Sequence, residues 1–223
     1  MEKKCIIANW KARKSTAEAL EWLDSLKRAN VLSITYPYTV ILAAPFTLLH
    51  LLVSEIRQRN LPITLASQDV SAFSQGSYTG EVPAELVKEF ADYVIVGHSE
   101  RREHLKETEE MLTQKVEKAH TAGLKNIYCV QNEAQQIPAG VAYVAYEPPS
   151  AIGSGNTAEV EDVIKVTGEI LTSSQQAVSV LYGGSVDSGN VQSFMNESSL
   201  AGVLVGTKSV VAADFISLLQ SAL

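Results

Sequence analysis

Four polar side chains stand where an apolar run of this sequence stops. Asn9 and Lys11 follow Cys5-Ile6-Ile7-Ala8, His98 follows Tyr93–Gly97, and Glu147 follows Val141–Tyr146. A carboxylate that ends an apolar run must be paired, solvated or functional. Facing an imidazole, it suits proton abstraction next to a carbonyl. The Glu takes the C–H proton, and the His donates to the oxygen on which enolate charge develops. Lys11 adds a full positive charge. Gly183-Gly184-Ser185 and Gly206-Thr207 are small-residue turns whose backbone N–H groups suit an anion such as a phosphate. Each feature alone has a plainer reading: a solvated lysine, a satisfied histidine, an ordinary turn. His50, His104 and His120 lie in helical segments with no Cys or carboxylate at ligand spacing, so no metal site is expected.

Positioning these residues requires a scaffold, and the rest of the chain describes one. Eight short β-rich apolar runs recur: Cys5–Trp10, Thr39–Ala44, Ile63–Ser67, Tyr93–Gly97, Asn126–Val130, Val141–Tyr146, Val178–Tyr182 and Gly202–Val205. They are nearly continuous rather than alternating, as in strands covered on both faces. Helical patterns fill most gaps: Ser15–Ala29, Phe46–Arg57, Pro83–Phe90, Thr108–Thr121, Glu159–Leu171, Ser188–Met195 and Ala212–Leu223. Strands alternating with helices imply parallel βαβ units. An open doubly wound sheet and a closed (β/α)8 barrel compete. Eight strands in 223 residues, with no Gly-x-Gly-x-x-Gly after the first, favour the barrel. Without linker or low-complexity tract, residues 1–223 are expected to form a single catalytic domain. One unit is reduced: only Gln131–Gly140 separates the fifth and sixth strands, and Pro138 and Gly140 interrupt it. A shortened or absent helix is expected there.

In such a barrel the chemistry sits at the C-terminal ends of the strands, where all the candidates fall. The net charge of −7 argues against nucleic acid or an anionic membrane as a bulk partner. A small anionic substrate remains compatible with it. No apolar stretch reaches the ~20 residues of a membrane span. The two cysteines, Cys5 and Cys129, sit inside apolar runs and read as buried free thiols. With no N-terminal signal core, a reducing cytoplasm is the expected compartment.

Five segments carry a resemblance: "ANWK" (8–11), "YTGEVP" (78–83), "VGHSERR" (96–102), "AYEPPSAIGSGNTA" (145–158) and "YGGSV" (182–186). Together, and in this order, they resemble the triosephosphate isomerase family. The resemblance implies interconversion of dihydroxyacetone phosphate and D-glyceraldehyde 3-phosphate through an enediolate, without a cofactor. It makes Glu147 the base and His98 the electrophile, a pairing known for this family rather than read from spacing. It has Asn9 and Lys11 bind and polarise substrate, with Glu100 as their supporting carboxylate. Gly153, Ser185, Gly206 and Thr207 would present N–H groups to the phosphate. Residues 148–156 would form a lid hinged at Pro148, with Ile152 and Leu204 clamping the base and Tyr182 and Ser185 latching the lid. The Gln68–Thr79 loop would insert into a second copy, giving a homodimer. The chain departs from the family at Ser150 (usually Trp), Asn156 (usually Lys), Thr207 (usually Gly) and in "CVQN" (129–132), which replaces Cys-x-Gly-Glu. Two alternatives stand beside this reading. Another phosphate-binding barrel isomerase would share the last two loops without needing Asn9, Lys11, His98 and Glu147. A non-catalytic barrel would have lost one of them, and none is lost.

Overall fold

The computed structural model describes residues 3–32, 35–151 and 157–223. Eight parallel strands close into a barrel in sequence order: β1 (Lys4–Asn9), β2 (Tyr38–Ala44), β3 (Ile63–Ser67), β4 (Tyr93–Val96), β5 (Lys125–Val130), β6 (Val141–Tyr146), β7 (Ser179–Tyr182) and β8 (Leu200–Val205). The ring closes where Cys5–Ala8 pair with Gly202–Val205. Closure explains the continuous apolar runs. Alternate residues of each strand face opposite sides, and both sides are dry. Ile7, Ile41, Ile95, Ile127, Leu181 and Leu204 meet inside the barrel. Ile6, Val40, Val94, Val144 and Val203 face the surrounding helices.

The helices are α1 (Thr16–Ala29), α2 (Phe46–Arg59), α3 (Ala84–Val87), α4 (Ser99–His104), α5 (Glu109–Thr121), α6 (Val160–Ser173), α7 (Val191–Asn196), α8 (Thr207–Val210) and α9 (Ala212–Ser221). Local chemistry sets their ends. Ser15 and Glu18 form a capping box on α1, and Asn30 ends it in the left-handed conformation, as a C-terminal residue with a short polar side chain can. The segment expected at Ser188–Met195 starts later, at Val191. Asp187 and Asn190 bond back onto the chain first: Asp187 Oδ1 accepts from Gly189 N at 2.8 Å, and Asn190 Oδ1 accepts from Asp187 N at 3.0 Å. Trp22 anchors α1 between Trp10 and Phe215, with ring centroids 5.0 and 5.4 Å away. Its Nε1 donates to Ser209 O at 3.0 Å.

No helix connects β5 to β6; residues 131–140 run as bends and turns. Side chains take over the hydrogen bonding that a helix would supply internally. Gln176 accepts from Gly140 N at 3.0 Å and donates to Pro138 O at 2.6 Å. Asn126, fully buried, donates to Gly140 O at 3.2 Å. A segment without regular structure must still satisfy its backbone groups, and these two residues do much of that work.

Candidate active site

Glu147 continues β6 by one backbone bond, its N–H donating to Val130 O at 2.7 Å. Its side chain is 2% exposed. Two donors hold the carboxylate: Oε1 lies 3.0 Å from His98 Nε2, and Oε2 accepts from Ser99 N at 2.9 Å. His98 is placed by the turn that leaves β4. Gly97 adopts φ +72°, which a side chain disfavours, and His98 caps α4. The backbone N–H of Glu100 donates to His98 Nδ1 at 3.3 Å. A backbone N–H is only a donor, so Nδ1 is an acceptor. This hydrogen-bond pattern assigns the ring as neutral imidazole with its proton on Nε2, aimed at Glu147.

Lys11 enters from the end of β1. It sits at φ +55°, an uncommon conformation for a residue with a side chain. Asn9 holds it there, its Oδ1 accepting from Lys11 N at 3.0 Å. Lys11 Nζ pairs with Glu100 Oε1 at 2.5 Å. Burial opposes ionisation of Glu100, but the hydrogen bond and charge of Lys11 outweigh it and hold the carboxyl below its usual range.

α4 is in turn fixed from behind. Arg102 donates to Gly97 O (2.7 Å) and Cys129 O (3.1 Å), tying the ends of β4 and β5 together. Arg101 joins Asp69, Glu107 and the buried Lys115 in a quartet with contacts of 2.5–2.9 Å. Burial is the larger influence on Asp69 and pushes its carboxyl up. At Glu107 burial acts the same way, but Arg101 and Lys115 prevail and hold the carboxyl below its usual value. The "ERR" of the β4 segment is therefore one residue paired with Lys11 and two that position its helix.

The last two strands close the far side. Tyr182 is fully buried and its hydroxyl accepts from Ala158 N at 3.1 Å. Ser185 Oγ donates to Ala151 O at 2.7 Å. Asn190 Nδ2 reaches Thr157 Oγ1 (2.9 Å) and Ser185 O (3.1 Å). The described residues on either side of 152–156 are thus tied to β7 and the loop after it. Pro148 is buried, and its carbonyl accepts from Ala151 N at 2.9 Å. Leu204 is 3% exposed and borders the cavity. Ile152 and Gly153, expected in the clamp and the phosphate loop, lie outside the described residues. Asn9, Lys11, His98, Glu147, Ser185, Gly206 and Thr207 all line one cavity of about 310 Å³. Glu100 reaches it through Lys11; Tyr182 does not line it and instead holds Ala158.

The triosephosphate isomerase family model matches residues 4–222. The chain belongs to this family. It is 34% identical to a triosephosphate isomerase from Gloeothece citriformis, with 99% of each chain covered. It is 32% identical to one from Mesomycoplasma hyopneumoniae, covering 96% of this chain and 97% of that one. The crystal structure of triosephosphate isomerase from Bartonella henselae superposes with a TM-score of 0.80 at 25% identity, with 99% of both chains covered.

Within this family member, three cavity features escape a reading of side-chain types. The Ser99 donor is a backbone N–H, which no residue identity announces. The Cys129 thiol faces Glu147; burial first, and that carboxylate second, push it well above the ordinary thiol range. Its place in an apolar run gave only burial. Asp187 and Lys208 also line the cavity. Their signal was their spacing from Ser185 and Gly206. Among the described residues, no helix is long and apolar enough to cross a membrane, and no group of three His, Cys, Asp or Glu is placed to hold a metal.

Proposed function

We propose that Glu147, His98, Lys11 and Asn9 carry out the reaction of this family, the interconversion of dihydroxyacetone phosphate and D-glyceraldehyde 3-phosphate. The observation that carries this reading is the Glu147 carboxylate, removed from water yet held at 2.9–3.0 Å by Ser99 N and His98 Nε2. A buried carboxylate with two donors and a cavity in front of it is an aimed base rather than a structural charge. Substrate takes over the Nε2–H of His98 for its carbonyl oxygen and leaves Glu147 facing the adjacent C–H. Glu147 removes that proton and returns it to the neighbouring carbon. His98 gives its Nε2 proton to the oxygen that gains charge and recovers one from the neighbouring hydroxyl, whose carbon becomes the new carbonyl, while Lys11 stabilises the enediolate electrostatically. Ser185, Gly206 and Thr207 offer N–H groups to the phosphate. Ala151 and Ala158, tied to Ser185 and Tyr182, support a lid that shuts water out of the site.

The test is a coupled assay with glyceraldehyde 3-phosphate on wild type and Glu147→Asp. Wild type is active. Shortening the base pulls its carboxylate back by about a methylene, and a misplacement of about 1 Å can cost on the order of 10²-fold. Equal rates in both proteins sink the base assignment.

We further infer a homodimer through the Gln68–Thr79 loop, acting in the cytoplasm. Phe73 and Tyr78 on that loop stack with ring centroids 4.3 Å apart, yet remain 45% and 47% exposed. Exposed stacked aromatics suit the core of an interface. The two cysteines are free and buried, in keeping with a reducing compartment. Thr79→Arg is expected to lower the mass seen by light scattering; unchanged mass counts against the loop as interface.

A further inference from the structure

We propose that Lys208 is a second cationic contact for the substrate phosphate, recruited from an ion pair at the rim of the cavity. The inference rests on the phosphate end of the site proposed above and adds a residue that neither its glycine turns nor Lys11 supply.

Charge balance around the cavity carries the argument. Four charged side chains line it besides His98: Lys11, Lys208, Glu147 and Asp187. Lys11 is committed to Glu100 at 2.5 Å. Glu147 and Asp187 oppose an incoming dianion, and the whole chain carries −7. Without Lys208 the walls would be net negative around an anionic ligand. Asp187 cannot withdraw easily, because its Oδ1 accepts from Gly189 N within its own turn.

Lys208 is free to move where Asp187 is not. It sits two residues beyond Gly206, in the first turn of α8, and lines the same cavity. Its Nζ is 3.3 Å from Asp214 Oδ2, with side-chain exposures of 48% and 44%. A pair this long and this wet binds its lysine weakly. A phosphate dianion offers more charge and three oxygens, so exchange from Asp214 to phosphate is favourable. A rim cation on an acidic protein also acts on encounter, and makes the rate of association salt-dependent.

The experiment compares wild type, Lys208→Met and Lys208→Arg. Titration calorimetry with inorganic phosphate gives affinity, and the coupled assay gives kcat and KM at low and moderate ionic strength. In Lys208→Met, phosphate affinity should fall and KM rise by about 3- to 10-fold, the worth of one partly screened charge next to a dianion. kcat should stay within about twofold, the signature of binding lost equally in ground and transition states. Its kcat/KM should depend less steeply on salt, and Lys208→Arg should restore affinity and slope. Unchanged phosphate affinity in Lys208→Met would assign Lys208 to the Asp214 pair alone and overturn the proposal. So would wild type that binds no phosphate, or Lys208→Arg as impaired as Lys208→Met with a lowered melting temperature. Wild type that binds phosphate but turns over no triose phosphate would instead defeat the isomerase reading; the calorimetry still judges Lys208.

Discussion

Gly183→Ala tests how tightly the rate is coupled to the position of Glu147, the proposed base. An ideal Cβ at Gly183 would stand 2.9 Å from Glu147 Cγ, 3.2 Å from Tyr146 O and 3.7 Å from Leu204 Cδ2. Carbon atoms prefer a separation of about 3.5–4.0 Å, so the first contact demands a displacement of about 0.6–1 Å. The new methyl cannot supply it. Gly183 N is bonded to Tyr146 O at 2.8 Å, which pins the backbone carrying it. Glu147 must yield, and with it the carboxylate that meets His98 and Ser99. A shift of that size in a reacting group lowers kcat by about 10- to 100-fold, or about 1.4–2.7 kcal/mol at about 1.36 kcal/mol per tenfold. KM reports separately on the phosphate end, because Ser185 lies two residues along the same turn. kcat and KM from the coupled assay, with a melting curve to establish that the variant is folded, measure the effect. A folded variant whose kcat matches wild type would refute the claim that this close approach sets the base.

The remaining predictions concern the scaffold. Glu107→Gln leaves the buried Lys115 and Arg101 facing Asp69 alone, and should cost about 3–5 kcal/mol, a fall in melting temperature on the order of 10 °C for a chain of this length; unchanged melting would show the quartet to be dispensable. Because Glu107 is held below its ordinary value, its stabilising effect is complete above the unfolded value of about 4.3 and is lost as pH falls through the folded one. Wild type should therefore lose on acidification a share of stability that Glu107→Gln never had, which melting curves across that range would reveal. Gln176→Ala removes two hydrogen bonds from the β5–β6 crossover and should destabilise by about 1–2 kcal/mol while leaving kcat unchanged; a melting temperature equal to wild type would show that the crossover holds without it.

The sequence by itself determined the eight-strand, helix-alternating order and the end of each strand at which chemistry would lie. Those follow from hydrophobic period and from breakers, which are local. The reduced unit over Gln131–Gly140, where a shortened or absent helix was expected, was legible for the same reason. Residue types also singled out Glu147, His98 and Lys11, since a charge ending an apolar strand is conspicuous anywhere. Tertiary structure decided the rest, because it depends on atoms distant in sequence. The proton of His98 is assigned to Nε2 only because Glu100 N meets Nδ1 and Glu147 meets the other nitrogen. Gly183 matters because a strand 36 positions earlier puts Glu147 Cγ where its Cβ would be. Asp69 and Lys115 lie 46 positions apart in sequence; closing the barrel buries them with Glu107 against the partly exposed Arg101, and together the four charges brace the helix behind His98.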